Sequence, residues 1–318
     1  MLRPTLKKFT FGYKRTILKY NTSMPEAEEE KIEQSTFPQK PAKILFWEAF
    51  FFILTMVLGI FTSWRIAQIP EIEIEKIPFK PASFWEFLVS FAMLLLIILL
   101  VIKYLKFRPG KEILFKVFFI LPVFLGGMVF WSLWLGDIPA LISIPALIIF
   151  WLIKPNVLIH NFLLISGMIG IGSIFGLRLD PLFVIFLLII FSIYDIVAVY
   201  KTKHMIKMAK EFIEVRAIPG LVLPQKFSEV SAPLKEVKMG GNFLILGSGD
   251  IIFPLLLVSS LVPEGILKSL LVAISATIGL LVSIEIFLSQ KTRKPIPALP
   301  PIALFSIIGY FIIRLIKV

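Results

Sequence analysis

Residues 243–262 read FLILGSGDIIFPLLLVSSLV, and residues 181–200 read PLFVIFLLIIFSIYDIVAVY. Each run is about as long as a helix must be to cross a bilayer core, roughly 20 residues. Each carries a single carboxylate, Asp250 in the first and Asp195 in the second. A carboxylate in lipid costs roughly 2.5 to 3.5 kcal/mol on insertion scales. Two of them kept in successive apolar runs point to proton chemistry inside a membrane.

Outward from these runs the chain keeps the same character. It has 318 residues, 58% of them hydrophobic, and a mean hydropathy of +0.91. No soluble domain of this size is so apolar along its whole length. Windows of about 20 residues predict an all-α polytopic membrane protein with nine spans. They fall at 44–65, 84–106, 113–135, 138–153, 157–177, 181–200, 243–262, 265–290 and 297–316. The fourth is short and carries Pro139 and Pro145. The first apolar run follows a long polar stretch and lacks a small-residue cleavage site, so it does not read as a signal peptide. Cysteine is absent, which removes disulfide and thiolate chemistry.

Basic residues orient the chain. With a cytoplasmic N-terminus, the inside segments are 1–43, 103–116, Lys154, 201–241 and 291–294, and they hold 26 of the 33 Lys and Arg. The positive-inside rule therefore predicts a cytoplasmic N-terminus and an outside C-terminus. The net charge of +12 reads as topology signal and anchorage to anionic lipid headgroups. No aromatic-laced basic domain is present to bind nucleic acid. The expected organisation is a mobile cytoplasmic tail at 1–43, spans one to six at 44–200, a cytoplasmic loop at 201–241 and spans seven to nine at 242–318. Within the loop, residues 201–215 have helical character and extend the sixth span until Pro219 and Pro224 break it.

This topology gives both aspartates similar depth. Asp195 lies roughly 7–8 Å before the cytoplasmic end of span six, and Asp250 roughly 10 Å into span seven, at 1.5 Å per residue. Spans adjacent in sequence usually pack as neighbours, so both carboxylates can reach one cytoplasm-facing pocket. At close range the two cannot easily both ionise, and they hold one proton as a unit. The ionised member then takes a proton from water while the other donates to a carbonyl oxygen. Such a pair hydrolyses an amide without metal, cofactor or covalent intermediate. Gly247 and Gly249, just before Asp250, allow close backbone approach.

Tyr194-Asp195, then Gly247-Ser248-Gly249-Asp250 in the next span, then Pro297-Ala298-Leu299 opening the last, resemble the motifs of the presenilin and signal-peptide-peptidase family. The resemblance covers spans six to nine by motif and the whole chain by span count, and it is nearest to the compact archaeal members. It implies an intramembrane aspartyl endopeptidase with Asp195 and Asp250 as the catalytic pair. Tyr194, Gly247, Ser248 and Gly249 would shape the site, and Pro297, Ala298 and Leu299 would help build it and seat substrate. Ser248 departs from the Leu that eukaryotic presenilins usually carry, which bears on cleavage preference. The resemblance also implies action without accessory subunits, in the cell membrane. The N-in orientation matches the presenilin branch, whose substrates would be transmembrane helices with outside N-termini and inside C-termini. Self-association is left open.

Pro-Ala-Leu also occurs at Pro139-Ala140-Leu141 and Pro145-Ala146-Leu147. Only the copy at Pro297 follows an inside basic loop and lies at the depth of the aspartates. The prolines at 295, 297, 300 and 301 withhold backbone donors and delay the helix. Non-helical backbone at membrane depth is tolerated where it lines a wet cavity, and an extended substrate strand would pair there. The alternative to a protease is a proton-coupled transporter using the same carboxylates, but no repeated broken helices support it. A prepilin peptidase shares Gly-x-Gly-Asp, but the Tyr194-Asp195 partner in the preceding span and the late Pro297 motif favour the presenilin type. Other polar residues read as structural. Glu285 snorkels, Glu48 and Glu86 face water near helix ends, and Asp137 and Asp180 cap helices. His160 and His204 are interfacial or hydrogen-bonded. No H-E-x-x-H zinc motif occurs. A rhomboid-like Ser–His dyad is poorly supported because neither histidine falls mid-span opposite an obvious exposed Ser, with Ser166 before Gly167 left open as a member.

Overall fold

The computed structural model describes residues 42–70, 108–202, 204–224, 226–238, 243–290 and 295–316, together with positions 84–86, 89, 90, 93 and 97. The tail at 1–41, most of the second span and the 291–294 basic loop lie outside the described residues, as do the expectations made for them.

The apolar runs form helices whose inward faces repeat every three or four residues. Helix α1 (Ala42–Ala67) turns Phe52, Met56 and Ile60 into the protein interior. Helix α2 (Arg108–Leu135) follows, with Pro122 inside it, then α3 (Asp137–Ile153). Helix α4 (Val157–Arg178) begins at Asn156, whose side chain accepts from the Ile159 N–H at 2.9 Å. It is the most enclosed of the long apolar helices, packed by α1 and α2. A Cβ on Gly126 of α2, or on Gly170 of α4, would overlap the facing backbone. Glycine is what lets these two helices touch.

Helix α5 (Pro181–Ile196) starts behind an Asp180 cap, which accepts from Leu182 N–H at 2.8 Å, with Pro181 in the first turn. It passes directly into a π-helical turn, Val197–Lys201, placed one residue pair after Asp195. Helix α6 (His204–Val215) is amphipathic and follows it. Helices α7 (Ser248–Ser260), α8 (Ile266–Ser289) and α9 (Leu299–Leu315) complete the described chain. Helix α7 is surrounded, touching α1, α4, α5, α8 and α9.

Phe243 does not open a helix as its apolar run predicts. Residues Phe243–Gly247 form a strand, β2, paired antiparallel with β1 (Gly220–Pro224). The helix begins only at Ser248 and runs for 13 residues. The physical cause is local: Pro219 precedes β1 and Pro224 ends it, and glycine at 247 and 249 weakens helix propagation before Asp250. The strand partner supplies the backbone hydrogen bonds that the helix would have made.

Many large apolar side chains point outward, among them Ile138, Ile142, Leu267 and Leu315. Outward apolar surface on helices this apolar is the signature of lipid as solvent. Among the described residues, five helices are long and apolar enough to cross a membrane: 46–67, 112–135, 157–178, 181–201 and 266–289. Helices α3 and α9 are shorter apolar helices.

Candidate active site

Helices α5 and α7 meet through two rings. Phe191 and Phe253 stack with centroids 4.3 Å apart and planes 25° apart. Asp195 lies four residues after Phe191, and Asp250 lies three residues before Phe253. The helices run in opposite senses, so both carboxylates sit about one turn beyond the same ring pair, on the same side of it. The stack thus sets the register of the two acids. Asp195 is 6% exposed and Asp250 is half-buried. Asp195 lies near enough to Asp250 for its charge to act there.

Each acid has a backbone contact from a different element. The Leu299 N–H donates to Asp195 Oδ2 at 3.3 Å. Leu299 is the first residue of α9, so the positive end of a helix dipole faces this carboxylate. Pro297 and Leu299 are buried, and 295–298 are non-helical. At Asp250, the Gly247 backbone lies within hydrogen-bonding reach of the carboxyl. A Cβ added to Gly247 would stand 3.0 Å from Asp250 Oδ2, whereas one on Gly249 would meet only Phe253, at 3.6 Å. The two glycines therefore differ. Gly247 makes room for the carboxyl of Asp250 itself rather than for a neighbouring backbone.

Not every residue singled out from sequence converges here. Tyr194 is 52% exposed and faces away from the helix contacts. Ser248 is tied to the sheet, its N–H and Oγ both donating to Pro219 O at 3.0 Å. Ala298 is half-buried at the entrance to α9. Pro139 and Pro145 are both inside α3, which packs on α2 and α4.

Two features went unread. Glu48 was expected to face water, but it is 6% exposed, and its charge reaches Asp250. The signal was there: Glu48 is four residues before Phe52 on the stripe that continues through Met56 and Ile60. The second is the sheet. Pro219 pairs with Ser248, so Leu221 with Leu246 and Leu223 with Leu244 are the hydrogen-bonded pairs of the ladder. The backbone groups of Phe243 and Ile245 consequently point to the other edge of β2. No described strand covers that edge, which leads straight to Asp250. Among the described residues no three His, Asp or Glu side chains are grouped to hold a metal ion.

A family model described as signal-peptide peptidase, presenilin aspartyl protease, matches residues 38–317. The fold is similar to that of a presenilin family intramembrane aspartate protease solved in a C222 space group, with a TM-score of 0.59 at 20% identity. That match covers 87% of this chain and 100% of the other. A structure titled in the same words, in a P2 space group, gives a TM-score of 0.54 at 20% identity, covering 83% of this chain and 96% of the other. No curated protein sequence matches significantly.

Proposed function

Since the chain belongs to the signal-peptide peptidase and presenilin aspartyl protease family, we propose that Asp195 and Asp250 are its catalytic pair and cut peptide bonds within transmembrane helices. The protein is an integral membrane hydrolase of that family. The observation that carries the assignment of the pair is the Phe191–Phe253 stack, which sets both acids one turn beyond a single point of helix contact.

The pair shares one proton and titrates as a unit. Water attacks the scissile carbonyl carbon and gives a proton to the ionised carboxylate, while the protonated carboxyl donates to the carbonyl oxygen. The tetrahedral intermediate collapses as the C–N bond breaks: the leaving amine takes a proton from one carboxyl while a hydroxyl of the intermediate returns its proton to the other, so the pair again holds one proton. The Leu299 N–H at the head of α9 steadies negative charge on Asp195 throughout. A helical amide is hydrogen-bonded and hidden, so substrate must unwind first. The edge of β2 that no described strand covers offers the unwound segment backbone partners beside Asp250. Pro297, Ala298 and Leu299 line the approach, with Tyr194 and Ser248 at its margins.

Nine spans with an inside N-terminus and outside C-terminus place this site near the cytoplasmic face. The favoured substrates then have outside N-termini and inside C-termini. The distribution of basic residues supports this orientation. A proton-coupled carrier finds no support in the family match.

The test uses purified protein and a membrane-spanning peptide. Internal cleavage is expected, and it is lost separately in Asp195→Asn and Asp250→Asn while both variants stay folded. Cleavage that persists in both variants would remove the pair from the mechanism.

A further inference from the structure

The sheet beside Asp250 is gripped from its far side by the fifth predicted span. Asn161 of α4 is buried, and its side-chain amide meets Val222 of β1 twice. Its Nδ2 donates to Val222 O at 2.7 Å, and Val222 N–H donates to its Oδ1 at 2.9 Å. This two-point contact copies what a neighbouring strand would offer. Next to it, the fully buried His160 has Nε2 3.2 Å from Gly220 O, where it donates, with its ring stacked on Phe119 at 4.7 Å. Gly220 and Val222 are among the β1 residues whose backbone groups face away from β2, as the pairing of Pro219 with Ser248 requires. One edge of the two-stranded sheet is thus closed by α4, and no described strand covers the other, beside the aspartate.

We infer that Asn161, seconded by His160, is a positioning residue that keeps the sheet assembled before substrate arrives, so that the free edge of β2 is a ready template for the unwound chain. The inference rests on the proteolytic reading above. Two short strands are marginal by themselves. Without the clamp, an arriving substrate must order β1 and β2 as well as itself, and its apparent affinity falls by the fraction of sheet already formed. The bond-breaking step should be unaffected, because neither residue reaches the carboxylates.

Asn161→Leu removes both hydrogen bonds at similar size, and His160→Phe keeps the ring stack while losing one. For Asn161→Leu, the KM for a membrane-spanning peptide should rise roughly tenfold, with kcat within about twofold of the parent. Affinity for a short hydroxyl-bearing transition-state mimic that reaches only the aspartates should be unchanged. Amide protons of Leu221, Leu223, Leu244 and Leu246 should exchange faster. His160→Phe should move KM and exchange in the same direction by a smaller factor, and it serves should the Leu variant fail to fold. Faster exchange with unchanged KM would overturn the template role while leaving proteolysis standing. So would losses of kcat and mimic binding in proportion, which would mark a merely structural residue. A parent protein that neither cleaves the peptide nor binds the mimic would sink the proteolytic reading instead, and the exchange data would still report whether the clamp holds the sheet.

Discussion

At the scale of single residues, the two glycines before Asp250 make the sharpest contrast. A methyl at 247 meets the Asp250 carboxyl at 3.0 Å, but one at 249 reaches Phe253 at an ordinary 3.6 Å. Gly247→Ala should therefore cost far more cleavage activity than Gly249→Ala, about tenfold or more against about twofold, since misplacement of a reacting group by a fraction of an ångström is expensive. Equal losses in peptide-cleavage assays would show that the tight contact at 247 is irrelevant. The acids themselves predict a bell-shaped pH profile. At low pH both carboxyls are protonated and no base remains; at high pH both are ionised and no acid remains. A profile that rises to a plateau on either side would contradict a shared proton. Asp195 and Asp250 were legible because a charge in an apolar run is conspicuous. Glu48 was less so, because its position near the end of a run suits solvent equally well, and only the helix packing turns it inward.

At the scale of elements, the strand at Phe243–Gly247 matters most. Five apolar residues read equally well as a first helical turn or as a strand, since periodicity does not separate them at that length. Pairing with Gly220–Pro224, 23 residues upstream in the antiparallel register, decides the matter. Ile245 offers its backbone to the open edge and not to β1, so proline there removes a donor without breaking the ladder. Ile245→Pro should abolish cleavage of a membrane-spanning peptide and retain binding of a short transition-state mimic. Loss of both would place Ile245 in the scaffold instead. The three Pro-Ala-Leu copies show the same dependence on context. The tripeptide at 297–299 heads α9 and hands an N–H to Asp195, whereas the copies at 139–141 and 145–147 are turns of an ordinary helix. Pro297→Ala should weaken cleavage several-fold and Pro139→Ala should leave it within about twofold, measured on the same peptide.

At the scale of the whole molecule, α7 is wrapped by five helices, and α2 and α4 touch at glycines. Overpacking such a contact typically costs about 1–3 kcal/mol, more where backbone is displaced. Gly126→Leu should lower the thermal midpoint of the detergent-solubilised protein by several degrees and reduce folded yield, although the residue is remote from the acids. A midpoint unchanged by this substitution would mean that α2 and α4 do not meet as described. The orientation also belongs to this scale. A tag on the N-terminus should be accessible from the cytoplasmic side only, and accessibility from outside would move the chain to the opposite branch of substrate topology.

Composition and the length of apolar runs determined that this is a helical membrane protein, because a bilayer allows few ways to satisfy backbone polar groups. The cost of burying charge was enough to single out Asp195 and Asp250. Tertiary structure alone decided that Phe243–Gly247 is extended, that Asn161 and His160 hold the sheet, that Glu48 faces inward, and that one Pro-Ala-Leu of three touches an acid. Each of these depends on a partner distant in sequence, and local pattern carries no information about which distant backbone group will satisfy a donor, an acceptor or a strand edge.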